Sequence, residues 1–118
     1  MFRLMREQWT VSKGIREIVM MGERDGFLRP DKREYMIKGI LEFSRDAGIV
    51  RQDIPGHEQV MVAAMAFFGI AMGPRALSDA ARWAAEYVNQ HNQRDALALC
   101  METAMNLIEA VKQAEGSP

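Results

Sequence analysis

Apolar and charged side chains alternate along this chain at helical spacing, except in one place. From Val60 to Met72 the sequence reads Val-Met-Val-Ala-Ala-Met-Ala-Phe-Phe-Gly-Ile-Ala-Met, with no charged or polar side chain. A helix that is apolar all round must be covered all round, so this run constrains the architecture more than any other. On either side of it the pattern is amphipathic. Leu4, Val11, Ile15, Ile18 and Gly22 step by three, four or seven, and Thr10 to Gly14 is expected to weaken or break that first helix. The next helix, entered at Pro30, buries Met36, Ile37, Ile40, Leu41 and Phe43. Gly48 suits the left-handed position that follows a helix end, with Ile49 as its apolar follow-on.

Pro55 opens the apolar helix and Pro74 the one after it, whose stripe is Leu77, Ala80, Ala81, Ala84, Tyr87 and Val88. Asn92, with Asp95 three residues on, is expected to cap the last helix, striped by Leu97, Cys100, Met101, Ala104, Ile108 and Val111. No stretch sustains a period of two. The pattern predicts an all-α fold: four to five antiparallel helices in a compact bundle around an apolar helix at about 55–73. A single domain is expected over 1–115, with 116–118 a frayed tail.

Successive residues of a helix turn by ~100°, which puts Met61, Met65, Phe68 and Met72 on one face and Ala63, Phe67 and Ile70 on the other. Ala66, Gly69 and Gly73 form a small-residue strip between them, expected to pack against the alanines of the next helix, Ala76 to Ala85. A simple bundle leaves about half of each helix in water, and monomers rarely expose large apolar patches. The expectation is that one chain covers only one of these faces well and that a second copy covers the other, as a homodimer. The candidate interface, or the lining of a pocket for an apolar small molecule, is Met61, Met65, Phe67, Phe68, Ile70, Met72, Trp83 and Met101.

Composition narrows this further. The chain has 118 residues, 48% hydrophobic and 26% charged, with a net charge of -1, which fits one folded domain and gives no global field for nucleic acid or membrane. The apolar run is too short for the ~20 residues a membrane span needs. The N-terminal residues carry charges where a signal peptide would be apolar, so a cytoplasmic protein is expected. Ten methionines suit irregular packing or an adaptable surface.

Candidate chemistry is sparse. One cysteine, Cys100, allows no disulfide within the chain and no multi-cysteine zinc site, and its apolar stripe marks it as structural. His57 and His91 lack the partners of known motifs. Met61 stands where a zincin would place its second histidine, and Ile54 and Val88 stand where a di-iron helix would place glutamate. Both histidines fall at helix ends, where solvated or capping roles are expected. No catalytic residue, metal or cofactor is implied.

Residues 1–51 carry 11 Lys/Arg against 8 Asp/Glu, a net of +3, and residues 52–118 carry 4 against 8, a net of -4. Arg24, Arg29, Lys32 and Arg33 gather at the first turn as a candidate basic patch for a nucleic-acid-associated regulator. Acidic residues interleave with them, so nucleic acid is not the expected partner. An EF-hand alignment through Gly26 puts Met21 and Lys32 where calcium ligands belong. The helix–Asp-Gly–helix stretch from Ile15 to Gly48, with Ile18, Val19, Asp25, Gly26, Asp31 and Glu34, resembles the tellurite-resistance TerB-like helical family. The resemblance covers less than a third of the chain. The family's second Asp-Gly element is replaced after Met72 by Gly73-Pro74, and no metal role follows for these residues.

The function expected from these features is a small helical interaction protein that self-associates through apolar surface. An apolar-ligand module is the alternative, and a nucleic-acid-associated regulator the second.

Overall fold

The apolar run forms the middle helix of the five described and touches all the others. In the computed structural model, which describes residues 2–116 and the side chains from Val11 onward, α1 spans Phe2–Arg24, α2 Arg33–Asp46, α3 Gly56–Met72, α4 Pro74–Gln90 and α5 Leu97–Gly116. Short 3-10 turns at Pro30–Lys32 and Arg94–Ala96 lead into α2 and α5. The described residues contain no strand. The radius of gyration, 13.5 Å, matches the value of about 13.5 Å expected for one folded domain of this length. No helix is long and apolar enough to cross a membrane among the described residues.

Helix α3 is packed by α1, α2, α4 and α5 together. Val60, Met61, Ala63, Ala64, Met65, Ala66 and Phe68 are fully buried. One large-residue face of this helix, Met61, Met65 and Phe68, is thus sealed within the chain. Phe67 and Ile70, on the second face, are half-buried against the same core. Phe67 meets Phe43 of α2 edge-on, with ring centroids 5.9 Å apart. The C-terminal end stays open, where Met72 is 45% exposed.

The first helix does not break. Gly14 is where it is because nothing larger fits: a β-carbon there would stand 2.5 Å from Cγ2 of Val60 and 2.7 Å from the hydroxyl of Tyr87. The local helix propensity of Thr10 to Gly14 is weak, and packing against α3 and α4 overrides it. Leu4 lies outside the described side chains.

Helix ends follow local chemistry. Gly26 and Gly48 hold φ of +78° and +73°. After α2, the amide of Ile49 donates to the Ser44 carbonyl at 2.9 Å, a Schellman-type closure, and Ile49 is buried. Pro74 starts α4 directly after Gly73. Asn92 does not cap α5. It takes φ +56° in the turn that ends α4, where the Gln93 amide donates back to the Val88 carbonyl. Helix α5 continues through Gly116, while Ser117 and Pro118 lie outside the described residues. Within the small-residue strip, Gly69 is met most closely by α5: a β-carbon there would stand 2.5 Å from Cδ1 of Ile108, with Leu77 of α4 next at 3.5 Å.

Candidate functional site

The α2–α3 connection, the start of α3 and the face of α5 between Leu99 and Leu107 enclose a cleft of about 560 Å³. Its wall is apolar: Ile49, Ile54, Pro55, Val62, Leu99 and Leu107 line it, with Ala47 and Gly48. Ile49 and Val62 are buried, whereas Leu99 is 58% exposed and forms the lip. The connection is held by Gln59, a buried side chain on α3. Its amide donates to the Arg51 carbonyl at 2.8 Å and to the Ile54 carbonyl at 2.6 Å. This ties the stretch that carries Asp53 and Ile54, both in the cleft lining, to α3.

Four hydrogen-bonding side chains and one thiol join this lining: Asp53, Glu58, Thr103, Asn106 and Cys100. Asp53 is paired with Arg51 at 2.9 Å. The Thr103 hydroxyl donates back to the Leu99 carbonyl at 2.9 Å. Glu58 is half-buried, and no described cation pairs with its carboxylate. Among the described residues no Lys, Arg or His lines the cleft. Cys100 is buried beside the Glu58 backbone carbonyl, 4.0 Å from Sγ. Burial, and then the Glu58 charge, push its thiol up to about 11, so it is a poor nucleophile near neutrality.

A second cluster lies where α1, α3 and α4 meet. Here the structure brings together the two histidines expected to be solvated at helix ends, and corrects that expectation. Nδ1 of His57 and the Tyr87 hydroxyl share a 2.6 Å hydrogen bond, and Nε2 of His91 lies 2.9 Å from the Glu17 carboxylate. The two imidazole centroids are 4.7 Å apart. Burial, and then the charge on His91, hold the His57 imidazole below its ordinary range, and burial raises the Tyr87 phenol. Each histidine spends one ring nitrogen on a different partner. No set of three or more His, Cys, Asp or Glu side chains is disposed to hold a metal among the described residues.

The sequence-derived candidates fall differently. Met61, Met65, Phe68 and Trp83 are core residues with no exposed surface and line neither the cleft nor the histidine cluster. Met101 is half-buried on α5, and Phe67 and Ile70 are half-buried on α3. Phe67 and Met72 border a groove of about 430 Å³ against Tyr35, Met36 and Gly39 of α2.

Three of the four residues of the basic patch are paired with carboxylates. Arg24 is paired with Asp25 and Glu86, Arg29 with Asp31, and Arg33 with Glu23. The bond from Arg33 holds the Glu23 carboxyl below its ordinary range. Lys32 is exposed. Asp25 accepts the indole N–H of buried Trp83 at 2.8 Å, a structural role at the Asp-Gly turn.

The geometry defines the protein as an all-α helical bundle with a half-enclosed apolar cleft at one side of its central helix. Compared with protein-family models, curated proteins and solved structures, the chain gives no match.

Proposed function

We propose that this protein is a small helical binding module that takes an apolar ligand into the cleft between the α2–α3 connection and α5. The observation that carries the reading is the cleft itself: about 560 Å³, apolar-walled, with a few polar side chains among the lining. Ligand sites are typically concave volumes of about 300–1,000 Å³ built this way. The wall is a loop fixed by the Gln59 amide, so the volume exists before a ligand arrives and little ordering cost is added on binding. No catalytic step belongs to this reading. The test is fluorescence titration with the neutral apolar dye N-phenyl-1-naphthylamine. Binding is expected at micromolar protein and is lost in Thr103→Trp, which fills the cleft from an exposed position. A native protein that leaves the dye dark at tens of micromolar would sink the reading.

Self-association is a second reading, and it rests on a different place. Tyr35 is 79% exposed and Met72 45% exposed, and both border the groove between α2 and α3. A second copy seated there would cover the open C-terminal end of the apolar helix. Sedimentation at two concentrations tests it, and a monomer at tens of micromolar removes it. The nucleic-acid reading has less support, because Arg24, Arg29 and Arg33 each lie against carboxylates and Lys32 alone of the four has no described ion pair.

A further inference from the structure

The charge of the cleft restricts what can enter it. Its ionisable lining is acidic, and no Lys, Arg or His joins it among the described residues. Asp53 is already engaged by Arg51 at 2.9 Å, which leaves Glu58 as the carboxylate that discriminates. Glu58 stands in the first turn of α3, where the helix dipole favours a negative charge. It is half-buried, lacks a described cationic partner, and lies close enough to Cys100 for its charge to act on the thiol. A carboxylate beside an apolar wall attracts a cation and repels an anion more strongly than it would in open water. A fatty acid or other anionic amphiphile would bring a second negative charge to Glu58 with no basic side chain in the lining to offset it.

We propose that the cleft is selective for amphipathic organic cations, an aliphatic or aromatic body against Ile49, Val62 and Leu107 with a protonated amine paired to Glu58. This selectivity rests on the ligand-binding reading above.

The experiment is displacement of the bound neutral dye at pH 7.4 by three probes of equal chain length: octylammonium, octanol and octanoate. Octylammonium is expected to bind about tenfold more tightly than octanol, equivalent to about 1.4 kcal/mol, and octanoate more weakly than either. Glu58→Gln should erase the difference between octylammonium and octanol. A second measurement on the unaltered protein guards against a variant that folds poorly: raising the salt from 0.05 to 0.5 M should shrink the cation's advantage through screening. Octanoate binding as tightly as octylammonium, or a cation preference that survives Glu58→Gln or is insensitive to salt, overturns the selectivity while the binding reading stands. A protein that binds neither the dye nor any of the three probes overturns both.

Discussion

The Tyr87 hydroxyl and Nδ1 of His57 stand 2.6 Å apart, joining α4 to α3 at the point where α1 presents Gly14 instead of a side chain. The hydroxyl can approach because Gly14 has no β-carbon. Three helices are thus registered by one hydrogen bond and one missing methyl group.

The setting of His57 makes stability depend on pH. Burial, then the neighbouring His91 charge, hold His57 below its ordinary range, so the unfolded chain binds the proton more readily than the folded one. The stability contribution is complete above the unfolded value of about 6.5 and is lost as pH falls through the lower folded value. The melting temperature should therefore drop between pH 7 and pH 5. His57→Asn does not titrate and can still bond Tyr87, so its profile over that window should be flatter. An equal acid slope in the variant would refute this origin.

The helix glycines give opposite signs on substitution. Gly14→Ala sets a methyl against Val60 and Tyr87. The overpacking cost of about 1–3 kcal/mol outweighs a helix-propensity gain of up to about 1 kcal/mol. Gly39 on α2 has open space, its nearest neighbour being Cζ of Phe67 at 3.9 Å from a β-carbon, so Gly39→Ala should stabilise by about 0.5–1 kcal/mol. Urea unfolding of both variants measures the contrast.

Gln59 is a clamp whose polarity matters. Its N–H groups meet two carbonyl oxygens, so Gln59→Leu should cost about 1–3 kcal/mol through lost hydrogen bonds and loosen the cleft wall. Gln59→Glu would face those carbonyls with an acceptor, which raises the pKa of the new carboxyl. Its stability should fall as pH rises through that raised value, making the variant weaker at pH 8 than at pH 5 relative to the parent. Chemical denaturation at the two pH values decides it.

Cys100 should alkylate slowly. With its thiol pushed up to about 11, the thiolate fraction at pH 7.4 is roughly 100-fold or more below that of an ordinary cysteine. Iodoacetamide labelling followed by mass spectrometry should accelerate steadily from pH 7.4 to pH 10. It should slow further when the cleft is filled by N-phenyl-1-naphthylamine. Rapid labelling at neutral pH would contradict the buried thiol.

Helix boundaries were legible because they are set locally. Gly48 takes a left-handed backbone, Pro55 and Pro74 start helices, and the charge-free run of α3 demanded cover on every side. The reading of Gly14 as a breaker failed because its role is a contact between segments, invisible in one segment's propensity. Asn92 is ambiguous for a related reason: a left-handed asparagine ending one helix and an asparagine capping the next look alike in sequence. Tyr87 and His91 lie four apart and share a helix face, the one signal that could have led to the histidine cluster. His57 and Glu17 reach it only through tertiary packing. The cleft left no trace in the pattern, since it is a gap between a loop and α5 whose apolar lining residues resemble core and whose polar ones resemble ordinary surface.

The position of α3 has a consequence for how the molecule comes apart. α3 buries side chains against each of the other four helices, so any helix that peels away strips part of its cover and exposes charge-free surface to water. Losing any one of these helices therefore uncovers part of the same apolar surface, which couples the described core into one cooperative unit.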